Sequence, residues 1–119
     1  MRVLLVDDHT LVRAGVRRLL EAFHDVEVVA EARDGREAID MVALHRPDVV
    51  LVDLAMPGMD GFAVTREVRA HFPGTSVVIM SMHADNAYVR QALSAGALGF
   101  VVKEAAPAEL ELALHAAMG

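Results

Sequence analysis

Short apolar runs rich in β-branched residues recur at a steady interval along the chain, and polar or turn-forming residues bound each run. The run at residues 49–52 contains no alternating polar residue, which is typical of a strand buried on both faces of a parallel sheet. The pattern predicts five strands, at residues 3–6, 26–30, 49–52, 77–80 and 100–102.

Apolar residues at helical spacing fill the segments between these runs. Asp34 and Asp85 are placed to cap two of the predicted helices, and Pro107 suits the first turn of the last one. The predicted inner faces are, in chain order, Val12, Val16, Leu19, Leu20 and Phe23; Ile39, Val42 and Ala43; Val64, Val68 and Phe72; Val89, Ala92 and Leu93; and Leu110, Ala113, Leu114 and Ala117.

Strand and helix patterns alternate along the whole chain, which predicts an α/β domain with a five-stranded parallel sheet. Right-handed crossovers place helices on both faces of such a sheet, so we expect a doubly wound fold. No linker or low-complexity tract interrupts the alternation, and residues 1–119 are therefore expected to form one domain.

Composition narrows the classes of function. The chain contains no cysteine, which excludes disulfides and thiolate metal sites. Its formal net charge of −6 disfavours direct nucleic-acid binding by this segment, because an acidic surface repels phosphate backbones. No apolar run approaches the ~20 residues of a membrane span, so we expect no membrane partner and a cytoplasmic location.

Polar side chains of complementary chemistry follow four of the predicted strands. Asp7 and Asp8 follow the first strand, and Asp53 follows the third. Ser81 follows the fourth strand and Lys103 the fifth. Any one of these residues alone is more often a turn former, a helix cap or a solvated charge. Because ligands bind beyond the carboxyl ends of strands in open α/β sheets, we expect the five to converge on one rim.

The chemistry of these residues suits a metal-assisted phosphoryl transfer. Three carboxylates at one rim repel one another, and a divalent cation relieves that repulsion. Mg²⁺ prefers oxygen ligands and often combines one or two carboxylates with phosphate oxygens. A carboxylate such as Asp53 can act as a nucleophile that forms an aspartyl-phosphate. Lys103 can hold a phosphoryl oxygen as a compact charge, and the Ser81 hydroxyl can donate to one.

This set of residues, in this order, resembles the receiver domain of two-component response regulators. The resemblance rests on Asp7-Asp8, on Asp53 within Val-Asp-Leu-Ala-Met-Pro-Gly-Met-Asp-Gly, on Ser81 and on Lys103 after Gly-Phe-Val-Val, and it covers nearly the whole chain. It implies a flavodoxin-like fold with strand order 2-1-3-4-5. Residues 8–20 are similar to the NarL/FixJ-type subfamily in particular.

The resemblance implies a role for each residue of the rim. Asp53 would accept a phosphoryl group from a sensor histidine kinase or a phosphotransfer protein. Asp7, Asp8, Asp53 and the backbone carbonyl of Ala55 would hold Mg²⁺. Lys103 would bind a phosphoryl oxygen. The domain would thus be a regulatory phosphoacceptor that promotes only its own phosphorylation and dephosphorylation, rather than an enzyme.

The resemblance also implies roles for two pairs of residues, one pair in the conformational switch and the other in the lifetime of the phosphoryl group. Ser81 would move toward the phosphoryl group, and Phe100 would turn inward into the space that this vacates. A core aromatic that never moves is the alternative interpretation of Phe100. Ala55 and His83 occupy positions that flank the phosphoryl group and tune its hydrolysis. We hypothesise that Ala55 leaves water access open while His83 partly screens it.

Two features depart from the common pattern or stand outside it. Glu104 follows Lys103 where a proline with a cis peptide bond is frequent, so the geometry of this bond stays open. The remaining histidines have no metal-ligand spacing with carboxylates and are interpreted as surface residues; they are His9, His24, His45, His71 and His115.

Receivers of the NarL/FixJ type usually precede a helix-turn-helix DNA-binding domain, which is not part of these 119 residues. The resemblance therefore implies control of transcription through a separate output domain, with a homodimer possible on phosphorylation. Candidate partner surfaces are the last helix and the region of Tyr88, Val89 and the Ala95-Gly96-Ala97 corner.

Three other functions were weighed. A phosphorylation-independent interaction domain would share the fold and leave the acids vestigial. A magnesium-dependent aspartyl-phosphate phosphatase needs a second carboxylate two residues after its nucleophile, where this chain has Ala55. A nucleotide or flavin site is disfavoured, because the first strand is followed by acids rather than by a glycine-rich loop.

Overall fold

The computed structural model describes residues 1–83 and 85–119, and in these residues five strands alternate with five helices. The elements are β1 (Arg2–Val6), α1 (Thr10–Glu21), β2 (Glu27–Ala32), α2 (Gly35–His45), β3 (Val49–Asp53), α3 (Gly61–His71), β4 (Ser76–Ser81), α4 (Asn86–Ala95), β5 (Gly99–Val102) and α5 (Pro107–Ala117). All five predicted strands are confirmed, and their ends agree to within two residues.

The strands form one parallel sheet in the order β2-β1-β3-β4-β5, as the resemblance implied. Helices α2, α3 and α4 cover one face of the sheet, and α1 and α5 cover the other. The fold is therefore flavodoxin-like and doubly wound. The helix that follows β1 and the helix that follows β3 lie on opposite faces, which opens a crevice between the carboxyl ends of these two neighbouring strands.

Two aliphatic cores sandwich the sheet. Leu4, Val6 and Val52 face the larger core, whereas Leu5 and Leu51 face the other, as the two-residue alternation of a strand requires. All five side chains are fully buried. Burial of one such side chain stabilises the fold by about 1.5–3 kcal/mol, so the central strands that carry the rim are among its most stabilised parts.

Aspartate side chains fix the start of three helices. Asp34 and Asp85 cap α2 and α4, which confirms both predictions, and Asp60 caps α3 in the same way. Each carboxylate accepts a hydrogen bond from a backbone N–H of the first turn. Pro107 begins α5, as predicted. Helix α1 differs, because its first residue is preceded by His9, which makes no side-chain cap.

The predicted inner faces are wrong at several helical positions. Val12 and Leu19 of α1 are partly exposed, Ala43 of α2 is exposed, and the side chain of Leu93 in α4 is 59% exposed. Each apolar stripe is wider than the surface that its neighbours cover. Helix α4 buries Ala92 and packs mainly on α3 and β5, which leaves Leu93 on its outer side.

No helix in the described residues is long and apolar enough to span a bilayer. The longest of them, α1, has 12 residues and carries four arginine or glutamate side chains.

Gly61 lies so close to the end of β3 that a side chain does not fit. A Cβ atom there would lie 2.8 Å from the Asp53 carbonyl oxygen and 2.8 Å from the Leu54 Cα. We expect Gly61→Ala to destabilise the domain by about 1–3 kcal/mol, because backbone must move. The matched control is Gly15→Ala in α1, where a Cβ would meet nothing within 4 Å. That variant is expected to gain about 0.5–1 kcal/mol. Urea unfolding measures both, and equal effects would contradict the prediction.

Candidate functional site

The predicted residues lie at the carboxyl edge of the sheet, and the register explains why. Val6 of β1 pairs with Val52 of β3, so the next residues, Asp7 and Asp53, stand side by side. Ser81 is the last residue of β4 and pairs with Val102 of β5, which places Lys103 just beyond it. The expected convergence on one rim is confirmed for these positions.

An ammonium group joins the two buried acids. Lys103 Nζ lies 3.1 Å from Asp7 Oδ2 and 3.1 Å from Asp53 Oδ1. The side chains of Asp7 and Asp53 are 0% and 3% exposed, and that of Lys103 is 10% exposed. A charge so well removed from water is tolerated when it is paired, and here one cation serves two anions. The trio therefore holds an excess of negative charge.

Backbone groups hold the two acids in place. The His9 N–H donates to Asp7 Oδ1 at 2.9 Å, and the Ala55 N–H donates to Asp53 Oδ1 at 3.3 Å. The Asp7 N–H donates to the Ala32 carbonyl oxygen at the end of β2. Both carboxylates thus have one oxygen committed to the loop that follows their own strand.

The cost of burying the Asp53 carboxylate is visible in its pKa. Burial raises the pKa of this carboxyl above its ordinary value, and the charge of Asp7 adds to the rise, whereas the ammonium of Lys103 opposes it. For Lys103 itself, burial acts to lower the pKa, but the ion pairs with Asp53 and Asp7 outweigh burial and raise it. Lys103 is thus held charged, and one more cation would relieve Asp53.

Two buried carboxylate oxygens have no hydrogen-bond partner among the described residues, Asp8 Oδ1 and Asp53 Oδ2. Such atoms are rare in folded proteins, since each carries a desolvation penalty. Ligand atoms of Asp7, Asp8, His9 and Asp53 all lie within 4.8 Å of one another. A hard divalent cation would satisfy both oxygens, and a donor set rich in carboxylates suits Mg²⁺. The residues present therefore fit the metal that the resemblance implies.

Ser81 and Phe100 lie at the ends of adjacent strands. Ser81 is buried, and its hydroxyl accepts a hydrogen bond from the His83 N–H at 3.2 Å. The Lys103 N–H donates to the Ser81 carbonyl oxygen at 2.7 Å, so the two residues are joined directly at the sheet edge. Phe100 is half-buried and packs against the larger core.

A groove of about 560 Å³ lies between the loop after β3 and the loop after β4. Ala55 and His83 line it from opposite sides, and Ser81 lies at its base. His83 is exposed. Ala55 and His83 therefore share one groove, between the loops that follow Asp53 and Ser81.

The Lys103–Glu104 peptide bond is trans, as are the other peptide bonds of the described residues. This settles the geometry that the sequence left open.

Two histidines contradict the expectation that none is spaced like a metal ligand. His9 Nδ1 lies 3.2 Å from Asp8 Oδ1 and 3.6 Å from Asp7 Oδ1, although without the geometry of a hydrogen bond to Asp8. His115 Nε2 lies 2.5 Å from Asp25 Oδ2, and with Glu111 they form a second cluster. Spacing along the chain cannot reveal the second cluster, because the loop before β2 meets α5 only in the fold.

Arg13 reaches the rim although nothing in the sequence pattern indicated it. Its Nη1 donates to the Asp7 carbonyl oxygen at 2.7 Å.

Of the candidate partner surface, Tyr88 is exposed and Val89 half-buried, but Ala97 is buried and cannot be part of a contact face.

Comparison with known proteins agrees with this geometry. The family model of the response regulator receiver domain matches residues 3–115. "Probable transcriptional regulatory protein NarL" of Mycobacterium tuberculosis is 44% identical over 110 residues, which cover 92% of this chain and 51% of the relative. The chain spans about half the length of the curated relatives that it matches, from 44% to 56%.

Solved structures match as closely. The signal receiver domain of NarL from Mycobacterium tuberculosis superposes with a TM-score of 0.92 at 44% identity, covering 99% of this chain and 96% of that one. RcsB from Salmonella enterica serovar Typhimurium, bound to the promoter rprA with the phosphomimetic BeF₃⁻, has a TM-score of 0.87 at 34% identity, covering 98% and 67%. The similarity to NarL/FixJ-type receivers is confirmed, and the chain belongs to the response regulator receiver domain family of two-component systems.

Proposed function

We propose that this domain is a phosphoacceptor switch, in which Asp53 receives a phosphoryl group from a histidine kinase or a phosphotransfer protein. The observation that carries the proposal is the buried carboxylate of Asp53. One of its oxygens is bonded to Lys103 and to the Ala55 N–H, and the other has no partner. A buried carboxylate that is held beside a fixed ammonium suits a phosphoryl acceptor, because phosphoryl transfer depends mainly on position and charge.

The transfer breaks the P–N bond of a phosphohistidine and forms a P–O bond to Asp53, and the donor imidazole leaves. One carboxylate oxygen of Asp53 attacks the phosphorus atom, and the other is left for the cation. Lys103, which now bridges Asp7 and Asp53, then holds a phosphoryl oxygen. Asp7, Asp8, Asp53 and the Ala55 carbonyl would hold Mg²⁺, which supplies positive charge for the acids and the transferred group.

The switch follows from the new charge. A phosphoryl group on Asp53 adds strong acceptors, and the Ser81 hydroxyl turns from the His83 N–H to donate to one of them. Phe100, which is already half-buried, moves into the space that Ser81 and its loop leave. The surface made by these two strand ends thereby changes its population of states, which is the signal that an output domain reads.

The wider role comes from the relatives. NarL carries the name of a transcriptional regulator, and the RcsB structure holds promoter DNA in the presence of a phosphomimetic. We propose that this domain, residues 1–119, controls transcription through a separate helix-turn-helix domain, dimerises on phosphorylation and works in the cytoplasm. The acidic receiver itself binds neither DNA nor membrane, since its net charge is −6.

Acetyl phosphate with Mg²⁺, followed by intact-mass spectrometry, tests the proposal. We expect one acid-stable, base-labile phosphoryl adduct on the wild-type chain, none after chelation of Mg²⁺ and none in Asp53→Asn. The matched control is Asp40→Asn, which changes an exposed carboxylate on α2 and is expected to keep the adduct. A wild-type chain that takes up no phosphoryl group would favour the phosphorylation-independent domain, and steady hydrolysis of a phosphate ester would favour the phosphatase.

The lifetime of the adduct tests the proposed role of His83. Because its side chain lines the groove opposite Ala55, it restricts the approach of water to the phosphorylated Asp53. We expect His83→Ala to shorten the half-life of the adduct several-fold, on the order of a 1 kcal/mol change in barrier. His71→Ala, an exposed histidine on α3, serves as the control. An unchanged half-life in His83→Ala rejects the role.

A further inference from the structure

The peptide unit between Asp7 and Asp8 is held by a side chain that the proposed transfer does not use. Arg13 Nη1 donates to the Asp7 carbonyl oxygen at 2.7 Å, and Arg13 Nε donates to Glu31 Oε1 at 2.9 Å. The Arg13 side chain is only 18% exposed. Since the two rim carboxylates branch from either side of this peptide unit, its orientation determines where Asp8 points.

The loop that carries these acids leads into α1, which has no side-chain cap. Helices α2, α3 and α4 begin with an aspartate cap, whereas α1 begins after His9 with no side-chain cap and with no acid in its first turn. Two residues of strand β2 hold this loop instead of a cap. The Ala32 carbonyl accepts the Asp7 N–H, and Glu31 anchors the guanidinium that grips the Asp7 carbonyl.

We infer that Arg13, anchored by Glu31, is a positioning residue for the cation site, which fixes the Asp7–Asp8 peptide so that the unpartnered oxygens of Asp8 and Asp53 meet one divalent ion. The inference rests on the proposed function, because it concerns the same metal. Simple electrostatics predicts the opposite effect, since a positive charge beside the acids repels a second cation. Removal of Arg13 therefore separates positioning from charge.

Mg²⁺ titration of the full chain, followed by amide chemical shifts, is the test. We expect Arg13→Gln to bind Mg²⁺ on the order of tenfold more weakly than the wild type. Arg13→Lys is expected to weaken binding as well, because one ammonium does not span the fork between Glu31 and the Asp7 carbonyl. Arg17→Gln is the matched control. Arg17 Nη1 pairs with Glu31 Oε2 at 2.6 Å and carries the same charge, but it does not contact Asp7. Its loss should leave Mg²⁺ affinity within about twofold, because this partly exposed ion pair does not hold the loop of the acids.

Amide hydrogen exchange in the absence of metal gives a second measurement. It reports on this loop separately from the stability of the whole domain. The His9 N–H, bonded to Asp7 Oδ1, is expected to exchange faster in Arg13→Gln than in Arg17→Gln when both variants are equally folded. If Arg13→Gln does not fold, Glu31→Ala keeps the guanidinium, removes the oxygens that anchor it and is expected to weaken Mg²⁺ binding too. Unchanged or tighter binding in a folded Arg13→Gln overturns this inference alone. A wild-type chain that binds no Mg²⁺ overturns the proposed function and this inference with it.

Discussion

Replacement of Lys103 by methionine is expected to destabilise the metal-free domain by about 3–5 kcal/mol at neutral pH. The ammonium lies 3.1 Å from a carboxylate oxygen of Asp7 and 3.1 Å from one of Asp53, and all three side chains are largely removed from water. Without it, two buried anions face each other with no cation. Methionine keeps the length and apolar character of the stem, so the change isolates the charge. Urea unfolding followed by circular dichroism in EDTA measures the loss.

Two companion variants make this measurement specific. Arg33→Met removes a cation whose side chain is 75% exposed and pairs with Glu37, so we expect a loss below about 1 kcal/mol. The double variant Lys103→Met/Asp53→Asn leaves only one buried acid beside the vacant position and should recover part of the lost stability. A Lys103→Met chain as stable as the wild type would show that the rim acids are hydrated or protonated, contrary to the proposed site.

The strands and the rim residues were predictable because they depend on short-range signals. Apolar runs such as residues 49–52 identify buried strands, and parallel strands bring their carboxyl ends to one edge. Asp53 and Lys103 could thus be placed together although they lie far apart in the chain. The strand order came from the family resemblance, since periodicity alone is the same for every arrangement of five parallel strands.

The contacts that sequence patterns missed depend on how elements dock. Arg13 lies on the polar side of α1, where its sequence position suggests a solvated charge, yet the packing of α1 beside β2 turns it toward Glu31 and the Asp7 carbonyl. Leu93 shows the converse error, because an apolar residue at helical spacing is exposed where no neighbour covers it. Helical periodicity reports which face is apolar and does not report how much of that face the sheet reaches.

Mg²⁺ is expected to stabilise the wild-type domain strongly, by about 2.7 kcal/mol when its concentration is a hundred times its dissociation constant. In the folded chain the two unpartnered oxygens of Asp8 and Asp53 can bind one cation together, whereas the unfolded chain offers no such preformed site. Thermal unfolding in Mg²⁺ and in EDTA measures the gain. Asp53→Asn removes one ligand charge and is expected to lose most of it, while Asp40→Asn, on the exposed side of α2, should keep it.

The pH dependence of stability in the metal-free chain is a second test of the charge balance at the rim. Because the pKa of Asp53 is raised from its ordinary 3.8, the folded state binds more protons than the unfolded state between that value and the raised one. Stability therefore falls as pH rises through this window, and this contribution is fully present only below it. Asp53→Asn has no such proton to lose, so its stability relative to the wild type in EDTA should grow as pH rises through this window, with a gain of about 1–3 kcal/mol for the removal of a buried carboxylate whose Oδ2 has no partner. A difference between the two chains that stays constant across this range would mean that burial beside Asp7 does not disfavour the charged form of Asp53, and the argument that the rim needs a second cation would fail with it.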